Sequence, residues 1–202
     1  MDELRKSRLL SIEGLFSAIE KRLLFIESLD TLVYKRRRHG GLTELLINIQ
    51  DVSYLIHLGE QFNYKMNKEI ESLEVLHISA IKSVELNFAR VKELLQNEFR
   101  DAVEYYFPAT WVSAIKAGLT GEFWYALNNR DYIQAHMNAP ELLHPKLMPD
   151  SELVKLVHKS DVILRRKGFE LWKVEPATTA PPEDREWYHP RTHWWWWLDQ
   201  KE

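Results

Sequence analysis

At 202 residues the chain suits one domain, or one domain with an appendage, and a chain of that size buries roughly 70 % of its unfolded surface without a covalent staple. It contains no cysteine, which excludes disulfide frameworks, thiolate zinc sites and thiol catalysis. Its net charge of −3 provides no broad cationic field for nucleic acid or anionic lipid. No run of about 18 apolar residues occurs, and Met1–Leu10 lacks the apolar core of a secretory signal, so the expected location is the cytoplasm.

From Asp2 to Arg38 apolar residues recur at steps of three and four. Leu9, Phe16 and Leu23 form one row, and Ile12, Ile19, Ile26 and Val33 the other, the two seams of a coiled-coil-like helix. So narrow a stripe favours self-association or a helical partner. The basic run Lys35–His39 followed by Gly40 and Gly41 predicts a helix stop. A second helix is expected over Thr43–Leu58, with Leu42, Leu45, Ile49, Val52 and Ile56 on one face. Gly59 and the stretch Gln61–Asn63 are candidates to interrupt it.

A third helical stretch runs from Tyr64 to Tyr106, either one helix or two, and Pro108 ends it. Thr110 can cap a fourth helix carrying Val112, Ile115, Leu119, Phe123 and Leu127. Asn128–Pro149 reads as loop. Asp150 or Ser151 caps a fifth helix with Leu153, Leu156, Val157 and Leu164 inward, and Arg165-Arg166-Lys167-Gly168 reads as its stop. Phe169–Val174 suits a short strand or an extended docking segment. Glu175–Glu183 has linker composition.

Beyond the linker the chain changes character. Six of its eight tryptophans (Trp172, Trp187, Trp194, Trp195, Trp196 and Trp197) fall in the last 31 residues. Four consecutive indoles carry on the order of 800 Å² of largely apolar surface, more than a soluble monomer leaves bare in one patch. In an α-helix four neighbours face nearly every direction, and in a strand two point each way, so the segment must lie between two surfaces. Either the tail folds back onto its own chain, or one of the surfaces belongs to a partner. Trp187, Tyr188 and Trp194–Trp197 are the candidate docking residues. Five acids and three bases between residues 183 and 202 argue against a membrane interface or stacking on nucleic-acid bases.

Arg130-Asp131-Tyr132-Ile133-Gln134-Ala135-His136 resembles the short motif of HEPN ribonucleases, an arginine, a polar residue and a nearby histidine. That resemblance implies a dimeric helical bundle in which Arg130 and His136 act as the catalytic pair and Asp131 orients. Histidine would shuttle a proton while arginine stabilises the developing charge. The pairs Glu74/His77 and Glu141/His144 resemble ligands of ferritin-like di-iron proteins, with Glu20 and Glu27 as possible additions. Glu186, His189 and His193 form another candidate ligand set. Pro140 and Pro145 bracket the second pair and Pro190 interrupts the third set, while His77, on a credible helix, lies on the apolar stripe and reads as a core histidine, so no metal or cofactor is expected.

These observations together lead to an all-α fold, a bundle of four to five helices with at least two long amphipathic ones and an extended aromatic C-terminal tail. Residues 1–174 would form the bundle, 175–183 the linker and 184–202 the docking tail. The expected function is that of a non-catalytic interaction or assembly component of a larger complex. The HEPN-like ribonuclease is the alternative.

Overall fold

The computed structural model describes residues 2–27, 41–107, 121–174, 176 and 181–200. The stop expected at Lys35–Gly40, the Thr110 cap and most of the expected linker lie outside the described residues. The fold is all-helical, with no strand among the described residues. In chain order the helices are α1 (Asp2–Glu27), α2 (Gly41–Gln61), α3 (Asn67–Leu86), α4 (Phe88–Tyr106), α5 (Glu122–Met137), α6 (Ala139–Leu142), α7 (Ser151–Val174) and α8 (Pro182–Arg185). A 3-10 turn, Trp194–Trp197, follows. No helix of the described residues is long and apolar enough to cross a membrane.

The chain divides into two compact units: Met1–Glu98 with Ala135–Met148, and Phe99–Gln134 with Pro149–Glu202. In the first unit α1 packs on α2 and α3, and α2 packs on α3 and α6. Much of the α1 seam is used here, with Leu9 and Phe16 half-buried and Val33 outside the described residues. Ile12, Ile19, Leu23 and Ile26 are buried, as are Leu42, Leu45, Ile49, Val52 and Ile56 on the expected face of α2.

Gly59 does not interrupt α2. The helix ends two residues later through Asn63, which takes a left-handed φ of 62°. Tyr64 N–H donates to the Gly59 carbonyl at 2.9 Å and Asn63 N–H to that of Glu60 at 2.9 Å, the paired bonds of a Schellman cap. The long third stretch is two helices, broken at Asn87. There the chain leaves helical geometry (φ −123°, ψ 26°), and the Asn87 side-chain amide donates to the Ile26 carbonyl of α1 at 3.1 Å.

Three expectations in the C-terminal half are corrected. Asn128–Pro149 is not loop throughout, because α5 runs to Met137 and α6 follows from Ala139. Pro140 sits in the first turn of α6, where its missing N–H costs nothing. Arg165–Gly168 does not stop α7, and Phe169–Val174 is its last part rather than a strand. The buried stripe Val157, Ser160, Leu164, Gly168 and Trp172 continues straight through the basic run. Leu156, expected inward, is exposed. Asp150 does cap α7, its Oδ1 accepting from the N–H groups of Glu152 (2.8 Å) and Leu153 (3.2 Å).

Candidate functional site

The C-terminal segment of the second unit is built around one carboxylate. Asp131 stands on α5 among the buried residues Phe123, Leu127, Arg130 and Ile133. Its Oδ1 accepts from the Trp195 indole N–H at 3.0 Å, and its Oδ2 accepts from that of Trp196 at 2.8 Å. His193 Nδ1 lies 2.9 Å from Oδ1; since a carboxylate only accepts, this ring nitrogen carries the proton. The four tryptophans form a 3-10 turn, and the two adjacent indoles reach one carboxylate by each taking a different oxygen of it.

Arginines cover the rings. The Arg130 guanidinium lies 4.2 Å from the Trp195 ring centre, that of Arg165 3.7 Å from Trp194, and that of Arg191 3.7 Å from Trp197. Arg185 closes the segment on itself. It forks onto Asp199 at 2.6 and 2.9 Å and also donates to the Trp196 carbonyl at 2.9 Å. The imidazole of His189 stacks on Trp196 at 3.9 Å, and that of His193 on Trp195 at 4.6 Å. Gly168 makes room on α7. A Cβ there would come within 2.6 Å of the Leu198 side chain, so the missing methyl lets the residue after the turn lie against the helix.

The candidate docking residues therefore fall into two sets. Trp187, Trp195, Trp196 and Trp197 are buried within the second unit, while Tyr188 is 43 % exposed and Trp194 half-buried. By eclipsing at i and i+3, Trp194 and Trp197 line one side of the turn. Together with Arg165, Phe169, Arg191, Leu198 and Gln200 they border an open groove of about 490 Å³.

The structure does not bring Arg130 and His136 to one site. Six residues apart on α5, they leave the helix in directions about 120° apart. Arg130, 4 % exposed, forks onto Asp161 through Nε (2.9 Å) and Nη2 (3.1 Å), and its Nη1 donates to Gln134. Tyr106 O–H donates to the same carboxylate at 2.6 Å. Burial, then the Asp161 charge, pushes the Tyr106 phenol well above its usual pKa.

His136 belongs to a separate cluster in the first unit. Thr43 donates its hydroxyl to Glu98 Oε2 at 2.5 Å and stands 2.8 Å from His136 Nε2, so the imidazole donates from Nε2 to the threonine oxygen. Glu98 also accepts the Thr43 backbone N–H, answering an orphan donor of the first turn of α2. Burial lowers the His136 pKa to about 3. A ring so reluctant to charge is a poor proton shuttle near neutrality.

Family models, curated proteins and solved structures give no match to this chain.

The remaining ligand candidates are engaged or scattered. His144 accepts the Lys146 N–H at 3.2 Å, faces Glu85 at 3.8 Å and lies against the Phe88 ring. His189 and His193 stack on different indoles. Among the described residues no three acidic or imidazole side chains converge on a metal-sized site. Sequence reasoning missed Asp131 as the tail's anchor. The available signal was an excess of indole N–H donors needing a buried acceptor.

Proposed function

We propose that this chain is a non-catalytic, cytoplasmic helical component of a larger complex, and that it docks a protein partner on the surface its C-terminal turn builds. The observation that carries this reading is the division of labour among the tail aromatics. Trp187, Trp195, Trp196 and Trp197 hold the segment in place, while Trp194 is half-buried and borders one groove with the exposed Arg165 and Arg191, and Tyr188 is 43 % exposed. Tryptophan, tyrosine and arginine are the residues that most often anchor protein interfaces. A rigid platform of them loses little conformational freedom on binding. The groups best suited to chemistry favour the same reading, since Arg130, Asp131 and His136 each hold internal bonds. Ile12, Ile19, Leu23 and Ile26 of the N-terminal seam are buried where α1 packs on α2 and α3, which favours the tail over α1 as the docking element.

The test is affinity capture with the full-length chain and with its Tyr188→Ala/Trp194→Ala variant, both checked for an unchanged melting temperature. Loss of co-purifying proteins from the variant is expected. Identical capture by the two would remove the docking role.

A further inference from the structure

The groove beside the 3-10 turn has a composition that specifies what it takes. Among the described residues its walls are Trp194, Trp197, Phe169 and Leu198, its cations are Arg165 and Arg191, and no acid lines it. The tail itself is acid-rich, so this local excess of positive charge is a property of the fold rather than of composition. The carboxylate of Asp199, which stands between the lining residues Leu198 and Gln200, is taken by Arg185. Among the described residues neither Arg165 nor Arg191 has a carboxylate partner; Arg191 donates only to the Gln200 amide oxygen, at 2.8 Å.

Both guanidiniums are held in place. Each lies 3.7 Å from an indole centre, so one planar face rests on the ring; the N–H edge of Arg165 is left for an acceptor, and Arg191 keeps the donors that its bond to Gln200 does not use. A stacked guanidinium loses less freedom when it grips a carboxylate in its two-pronged mode than a mobile side chain does. The same stacking covers an indole face that a nucleobase or another flat ring would need, which favours carboxylates over planar aromatic ligands. The Phe169 and Leu198 walls offer contact to an aliphatic side chain lying between the two charges.

We propose that this groove binds an acidic peptide segment of a protein partner, two of whose carboxylates pair with Arg165 and Arg191 while an aliphatic side chain between them rests on Phe169 and Leu198. The inference rests on the docking reading and deepens it by stating the chemistry of the partner.

The probe is a fluorescein-labelled hexapeptide, Glu-Leu-Glu-Glu-Leu-Glu, titrated with the full-length protein and followed by anisotropy. Its all-glutamine counterpart and inorganic phosphate serve as comparisons. Saturable binding of the acidic peptide is expected, weakening with salt because the charges are exposed. The glutamine peptide should bind about tenfold more weakly or not at all. Arg165→Gln/Arg191→Gln should lose about tenfold in affinity, and Arg165→Lys/Arg191→Lys should recover only part of it, because an ammonium lacks the planar fork. Both positions are exposed, so unchanged far-ultraviolet circular dichroism is expected for these variants.

Absence of binding, equal binding of the two peptides, or full binding by the glutamine variant would each overturn the inference. So would phosphate competing at concentrations matching the peptide, which would mark a general anion site. Running the capture experiment with Arg165→Gln/Arg191→Gln separates the two proposals. Partners lost with Tyr188→Ala/Trp194→Ala but kept with the arginine variant leave docking standing and refute the acidic-peptide reading, whereas partners kept by both remove docking itself.

Discussion

Replacing Asp131 by alanine removes the acceptor of three donors at once. The indole N–H groups of Trp195 and Trp196 and Nδ1 of His193 all lie within 3.0 Å of its carboxylate. Hydrogen bonds to a charged group contribute about 1.5–3 kcal/mol each. Because the Asp131 side chain is 19 % exposed, water can reach part of the vacated space and the low end applies. The expected loss is about 4 kcal/mol, a large share of the 5–15 kcal/mol that holds an ordinary domain together. Asp131→Asn is the sharper variant. It preserves volume, but whichever way the amide turns, its N–H₂ faces an indole N–H, so about 2 kcal/mol should still be lost. Urea unfolding followed by tryptophan emission measures both, with an unchanged slope as the sign that the denatured state is unaltered. Losses below about 1 kcal/mol in both variants would mean that the carboxylate does not anchor the tail.

Three further outcomes follow from the same structure. His136 stays neutral in the fold down to about pH 3, whereas the unfolded chain protonates it near 6.5, so its contribution is complete above 6.5 and is lost as pH falls towards 3. That loss amounts to about 2 kcal/mol at pH 5, and His136→Gln should flatten a stability–pH profile over this window. Arg130→Met should cost about 3 kcal/mol or more by stranding Asp161, lowering the melting temperature by roughly 10 °C, and Arg130→Lys should rescue little because it cannot fork. Gly168→Ala should gain nothing in the natural chain, where the new methyl meets Leu198, yet stabilise a Leu198→Ala background by about 1 kcal/mol through helix propensity. A double-mutant cycle by urea unfolding reads that coupling directly.

What could be read from the residues, and what could not, has physical reasons. The faces of α1 and α2 were legible because uninterrupted 3.6-residue periodicity reports a single buried side. The Asp150 cap was legible from local chemistry alone. Arg165–Gly168 misled because the same cations and glycine that end a helix also serve inside one. Here Leu164, Gly168 and Trp172 keep the four-residue step, and the glycine answers to Leu198, a residue thirty positions away. Four indoles in a row correctly demanded two surfaces, but weighing only helix and strand overlooked the 3-10 turn that groups Trp194 with Trp197. In the Arg130–His136 stretch a local motif placed three residues in one role. His136 stands five positions after Asp131, which on a helix turns their side chains about 140° apart. Asp131 holds the tail while His136 meets Thr43 of the first unit.

The most direct test of the account is hydrogen exchange at the indole nitrogens of the uniformly ¹⁵N-labelled chain, with Trp195 and Trp196 assigned through single Trp→Phe variants. Clasped by Asp131, both N–H groups should exchange many-fold more slowly than free indole, and Asp131→Ala should abolish that protection. Exchange at the rate of an unprotected indole in the unmodified protein would contradict the structure's central arrangement and the docking surface that depends on it.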